Sequence, residues 1–341
     1  MKITKLFVFR FLLFGGTIVS LFFVPWLLVR AWIMPLPDDI QGVLDEGIEY
    51  GLDGMMVYVD QKGKEPEFYA IGWKDRDDKI PADPHSLFKI ASINKLYDAV
   101  SITKLVERGQ LSLDGTVADY FPELKDIINY SDQITLRMLI GHRSGIPNYT
   151  DTPDFWSRSS TNYDEALDLI KDVSPLFKPG TDYAYCNTNY LLLGKLIAKT
   201  TGKNTFEFFR ENILSPLNLT NTYASVNDVN LDDVMGGYHK GYQLNLKAND
   251  QGMLATAEDV GIFLRALNEG TIFKGKEQEI YSSVYEYNHT GWVLGYQSFA
   301  NYYTDIDTVV ILFNNTTDND LILWNLAEIL EGRIVKIIEK R

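Results

Sequence analysis

The sequence predicts an α/β protein of the α+β type. One antiparallel sheet is built from N- and C-terminal segments and flanked by helices, with an all-helical lobe inserted between them. Three observations predict it. Strand patterns stand early in the exported part, in "GMMVYVDQKGKEPEFYAIGW". Helical patterns broken by Pro and Gly fill residues 113 to about 235. Strand patterns return near the end, in "HTGWVLGYQSFANYY" and "TVVILFNNT".

The elements follow in order. "MKITKLFVFR" carries Lys2, Lys5 and Arg10, and residues 11–29 carry no charge. As one helix that run would span roughly 28 Å, close to a ~30 Å hydrocarbon core. Trp26 and Trp32 suit its outer interface. Cations before the run outnumber Arg30 after it, which keeps the N-terminus in the cytoplasm and exports the rest. Residues 1–34 are therefore expected as a membrane anchor with its flanks, a cleaved signal peptide being the competing reading. Residues 35–341 form the main domain, with the helical lobe of about 113–235 inserted in it. Residues 38–50 place Ile40, Val43, Leu44 and Ile48 on one side of a helix. The two early strands meet at a Lys-Gly turn. Ser92 to Gly109 is a helical pattern with Gly109 as its C-cap. "YDEALDLIKDV", "NYLLLGKLIAKTTGK", "DVGIFLRALNEG" and "LILWNLAEILEG" read as further helices.

Composition excludes several functions. The net charge is -14, and no basic stripe offsets phosphate repulsion, so a nucleic-acid partner is excluded. The single cysteine, Cys186, permits no internal disulfide. No spaced His/Cys set suggests a metal, and no cofactor is expected.

Within "HSLFKIASINKLYDAVSITKL" the pattern Ser-x-x-Lys occurs three times, at Ser86/Lys89, Ser92/Lys95 and Ser101/Lys104. Such a pair can be a nucleophile and its base. Ser86 precedes the helix, where the two side chains need not meet. Ser101 and Lys104 share a stripe with Asp98 and Arg108 that reads as the solvated face. Lys95 instead continues into Ala99, Ile102 and Val106, an apolar and inward face. A buried lysine is costly unless paired or neutral. The alternative is that Lys95 snorkels outward at the helix end.

The surroundings of Ser92 resemble the nucleophile region of the serine β-lactamase and penicillin-binding protein superfamily, in its class C β-lactamase and DD-peptidase branch. "ITLRMLIGHRSGIPNY" is similar to that branch's Leu-Leu-x-His-x-Ser-Gly-Leu segment. Tyr185-Cys186-Asn187 looks like its Tyr-x-Asn motif, and His289-Thr290-Gly291 like its third motif. The resemblance covers roughly residues 38–330. It implies a β-lactamase/transpeptidase-like fold and an acyl-enzyme on Ser92, with Lys95 and Tyr185 as base and relay. It further implies that Asn187 binds the substrate amide and orients Lys95. His289 would relay a proton or, when charged, hold a carboxylate, making activity depend on pH between about 5 and 8. Thr290 and Gly291 complete that motif, and the backbone N–H groups of Ser92 and Trp292 would form an oxyanion hole.

His142, Ser144 and Cys186 read as structural. Two departures concern the substrate class: the chain before "NHTG" is short, and Asn288 replaces a usual Gly. The implied protein is a membrane-anchored serine hydrolase of the DD-carboxypeptidase or esterase type in a bacterial cell envelope, with its catalytic domain outside the cytoplasm. Its substrate would be a small molecule or peptide, such as a peptidoglycan stem peptide or an ester. The alternatives are a non-catalytic envelope receptor for peptidoglycan peptide or β-lactam, and a β-lactamase.

Overall fold

The computed structural model describes residues 5–153, 155–157, 162–250 and 252–341. In chain order the helices are α1 (Lys5–Leu21), α2 (Trp26–Ile33), α3 (Ile40–Glu49), α4 (Asn94–Glu107), α5 (Val117–Tyr120), α6 (Leu136–Ile140), α7 (Tyr163–Asp168), α8 (Asn187–Thr201), α9 (Thr205–Phe209), α10 (Ala257–Asn268), α11 (Glu277–Ser282) and α12 (Ile322–Ile338). The strands are β1 (Gly54–Gln61), β2 (Glu67–Asp75), β3 (Ile80–Pro81), β4 (Phe88–Lys89), β5 (Thr222–Tyr223), β6 (Tyr238–His239), β7 (Leu254–Ala255), β8 (His289–Val293), β9 (Tyr296–Tyr303), β10 (Thr308–Asn314) and β11 (Thr316–Thr317). Two compact units result, one reaching to Gly51 and resuming at Asp318–Arg341, the other Leu52–Thr317.

The first unit holds α1, α2, α3 and α12. Asp39 caps α3 by accepting from Gly42 N at 2.8 Å. Arg333 on α12 donates to Met34 O at 2.9 Å, Pro35 O at 2.7 Å and Glu46 Oε1 at 2.9 Å, tying the Pro-rich linker and α3 to α12. The uncharged run 11–29 does not form the expected single helix. α1 stops at Leu21, α2 starts after Pro25, and the pair is bent by 77°. Pro25 has no N–H to donate, and its ring disfavours helical geometry at Val24. Among the described residues no single helix is long and apolar enough to cross a membrane, although the bent pair passes that test together.

The second unit carries a six-stranded antiparallel sheet in the order β3-β2-β1-β10-β9-β8. The sheet is built from both ends of the chain, as the sequence predicts, and its first and last long strands lie side by side at its centre, with Val57 opposite Leu312. Helix α10 packs on β1, β9 and β10. Its Gly261 has no room for a side chain, because a Cβ would lie 2.3 Å from the Tyr58 ring. The stretch "YDEALDLIKDV" is helical only over Tyr163–Asp168.

Helix α4 is buried from Lys95 through Leu105. This corrects the expectation that Asp98, Ser101 and Lys104 face solvent. The face is polar but covered, since α8, α9 and α11 pack around α4. Lys104 is held there by Glu277 Oε2 at 2.9 Å and Ile272 O at 2.8 Å. Arg108, past the helix end, is exposed.

Candidate active site

The chain reaches Ser92 through β4 and a 3-10 turn, Ala91–Ile93, that leads into α4. Ala91 has φ 49°, a left-handed conformation uncommon for a residue with a side chain. Ser298 Oγ donates to Ile90 O at 2.9 Å and fixes the entry to this turn. Strand β8 packs directly against it. The approach is close enough to require glycine at 291: a Cβ there would lie 2.4 Å from Ser298 Oγ and 2.5 Å from Ile90 O.

Lys95 Nζ lies 3.1 Å from Ser92 Oγ. Tyr185 O–H donates to the same oxygen at 2.7 Å. Lys95 Nζ also stands 5.1 Å from the Tyr185 ring centre and 5.3 Å from that of Tyr190. Ser92 is therefore bracketed by an amine one helical turn away and by a phenol from the loop before α8. The other two pairs do not form. Lys89 donates to Leu246 O at 2.7 Å and Asn249 O at 2.6 Å, while Ser86 Oγ is buried without a partner. Lys104 turns to Glu277, and Ser101 Oγ is likewise unpartnered.

Two N–H groups flank Ser92. Its own is at the second position of the 3-10 turn, where no earlier helical carbonyl accepts it. The other is Trp292's. Val293 and Tyr296 close a two-residue hairpin and form a hydrogen-bonded pair. Alternation then turns the N–H groups of Thr290 and Trp292 away from β9. Because β8 is the edge strand, they face the turn that carries Ser92.

His289 begins β8 and is buried. Its Nδ1 bonds to Thr290 O, and its Nε2 to Tyr285 O–H at 2.9 Å. Burial and the nearby charge of Lys95 push its pKa down to about 4. The expected titration of His289 between pH 5 and 8 is thereby corrected. The ring is neutral across that window and offers no cation to a substrate carboxylate.

The remaining predicted residues fall around this centre. Asn187 starts α8, and its Nδ2 donates to Thr150 Oγ1 at 3.0 Å. Cys186 is buried and packs its Sγ 3.3 Å from Ile146 O. Ser144 Oγ donates to buried Asn189 Oδ1 at 2.8 Å. His142 Nδ1 accepts from Cys186 N at 3.0 Å, and its ring lies 4.5 Å from that of Tyr185, so it supports the turn that presents Tyr185. Burial, with Lys95 and His289 adding, pushes its pKa to about 3.

Three groups were not singled out from the sequence. Tyr285 and Tyr190 complete the ring cluster beneath Tyr185 and His289. Asp98, one turn beyond Lys95, is pushed up to about 8 by burial, with the Lys95 charge opposing. No local pattern marks the two tyrosines, and the stripe that contains Asp98 reads as solvated, because each group is defined by what packs on it.

Fold and site together define a class: a β-lactamase-like fold whose serine is bracketed by a lysine and a tyrosine. A family model described as Beta-lactamase matches residues 38–284. Protein flp of Staphylococcus aureus (strain N315) is 26% identical over 306 residues, which is 83% of this chain and 60% of that protein. The chain thus spans about 60% of the length of the curated relatives it matches first. The D-amino acid amidase of Ochrobactrum anthropi SV3 superposes with a TM-score of 0.76 at 24% identity, covering 92% of this chain and 99% of that one. A class C beta lactamase from Rhodobacter sphaeroides gives 0.68 at 22%, covering 88% and 100%. The chain belongs to the Beta-lactamase family. The family match ends before His289, so the role of β8 rests on its packing against the Ser92 turn.

Proposed function

We propose that the protein forms an acyl-enzyme on Ser92 and hydrolyses an ester or amide, in the manner of esterases and DD-peptidases. The observation that carries this reading is the bracketing of Ser92 Oγ by Lys95 Nζ at 3.1 Å and Tyr185 OH at 2.7 Å. Serine is a poor nucleophile until a neighbour removes its proton. Lys95 and Tyr185, in contact through ring and amine, take that proton as a coupled unit. The oxyanion that forms meets the N–H groups of Ser92 and Trp292; such a donor is typically worth ~3–4 kcal/mol of barrier. Tyr185, 37% exposed and bonded to Ser92 Oγ, is placed to return the proton to the leaving group. Water then enters by the same route to release the acyl group. Of these two manners a neutral His289 favours the esterase's, an uncharged ester or amide, over the DD-peptidase's peptide ending in a carboxylate.

The same reading places the catalytic unit outside the cytoplasm of a bacterial cell, held at the membrane by the N-terminal helices. Exposed Phe22, Phe23, Trp26 and Trp32, gathered at the bend and along α2, support it. A membrane-impermeant fluorophosphonate applied to intact spheroplasts tests both parts. Label should enter the membrane fraction, vanish in Ser92→Ala, and persist in Ser86→Ala and Ser101→Ala. Equal labelling of Ser92→Ala would refute the nucleophile, and label only after lysis or only in the soluble fraction would refute the placement.

A further inference from the structure

Glu286 stands three residues before His289, with its Oε1 3.5 Å from His289 Nε2. The contact resembles an ion pair but is not one. His289 Nδ1 faces the Thr290 carbonyl, which can only accept, so the ring proton is on Nδ1. Nε2 then carries a lone pair and accepts from Tyr285 O–H. A lone pair and a carboxylate oxygen face each other, which is repulsive. Among the described residues no Lys or Arg forms an ion pair with Glu286. Its side chain is 64% exposed, so the carboxylate remains open to solvent.

The position of this charge is set by the site. Glu286 leads into β8, which supplies the Trp292 N–H. It is also near Tyr183, whose pKa is raised chiefly by burial, with Glu286 and then Tyr185 adding. Tyr183 is itself exposed and lies beside His142, which supports Tyr185. The His289 ring that Glu286 touches lies 6.4 Å from the Tyr185 ring, whose O–H donates to Ser92 Oγ, so the uncompensated carboxylate sits on the Tyr185 side of Ser92. A substrate carboxylate would be repelled there, and a protonated amine would be attracted.

We propose that Glu286 binds a protonated amine of the substrate, so that the site selects acyl donors carrying an amine near the scissile carbonyl, such as aminoacyl esters and amides. This rests on the Ser92 reading and names its substrate class. The test compares two p-nitrophenyl esters that differ only in the amine, those of phenylalanine and of 3-phenylpropionate. The full-length chain in detergent is used at pH 6, where an α-amino group is charged. The acylation rate is read from the release of p-nitrophenol. With each rate divided by that ester's uncatalysed hydrolysis rate, which removes the intrinsic activation by the α-ammonium group, the amine-bearing ester should acylate roughly 5-fold faster, the preference expected of one half-exposed ion pair. In Glu286→Gln that ratio should fall to about 1, and Glu286→Lys should favour a succinyl ester over either. Equal normalised rates for the two esters in the wild type, or a ratio unmoved by Glu286→Gln, would overturn the proposal. In those cases fluorophosphonate labelling of Ser92 leaves the nucleophile standing. Absence of that labelling would overturn the Ser92 reading, and this proposal with it.

Discussion

Lowering the pH from 7 to 5 should destabilise the protein through two buried histidines, and the size of the effect follows from their surroundings. An unfolded histidine titrates near 6.5, whereas burial holds folded His289 at about 4 and His142 at about 3. Below pH 6.5 the unfolded chain binds protons that the folded chain refuses, so stability falls as pH falls. The loss levels off only below the folded values. Between pH 7 and pH 5 linkage gives about 2 kcal/mol for each ring, or about 4 kcal/mol together. Asp98 acts in the opposite sense. Its folded carboxyl, held up at about 8, keeps a proton that the unfolded chain releases above about 4, so acid favours the folded state there.

The wild-type curve is thus a sum of opposed contributions, and variants are needed to separate them. Urea unfolding of the full-length chain in detergent, at both pH values, gives the stability of wild type, His142→Gln and His289→Gln. Each variant loses a side chain's packing at any pH, which cancels in the comparison. Relative to wild type, each should be about 2 kcal/mol better off at pH 5 than at pH 7. A difference that does not change with pH, within about 0.5 kcal/mol, would refute the claim that these rings are held neutral.

Two further outcomes follow from other contacts. Glu277→Ala leaves the Lys104 ammonium, only 5% exposed, without its partner and should cost ~3–5 kcal/mol in urea unfolding, while the double change Lys104→Met with Glu277→Leu should cost clearly less. Gly291→Ala forces β8 away from the Ser92 turn, because its Cβ would meet Ser298 Oγ at 2.4 Å; the rate of Ser92 labelling should fall by about 100-fold, as expected of a ~1 Å displacement.

Period and order in the sequence were enough for the sheet. Met56 to Val59 and Val309 to Phe313 read as strands from opposite ends of the chain, and they pair at its centre. Coverage was harder to read than polarity. The stripe Asp98, Ser101, Lys104 has the periodicity of a solvated face, yet α11 brings Glu277 across the sequence to neutralise it. The bend at Pro25 was visible as a residue type, but a count of uncharged positions ignores the missing N–H that breaks the helix there. The neutrality of His289 depends on Tyr285, Thr290 and Lys95 together, and no spacing encodes that environment.

The three Ser-x-x-Lys pairs show why spacing alone could not choose a nucleophile. All three place a lysine three residues after a serine, and in all three the lysine is buried. What differs is what the rest of the fold offers each amine. Lys89 finds two carbonyls from residues 246 and 249, so its protons are spoken for and its serine is left aside. Lys104 finds a carboxylate and a carbonyl, which hold it as a structural cation. Lys95 finds the faces of Tyr185 and Tyr190, with Ser92 Oγ in reach. Aromatic faces attract a cation but accept no conventional hydrogen bond from it, which leaves the amine free to act on Ser92. The left-handed turn at Ala91 and the absent side chain at Gly291 then bring an edge-strand N–H beside that oxygen. A base, a nucleophile and an oxyanion donor coincide at Ser92 because three separate parts of the chain each leave one group unspent there.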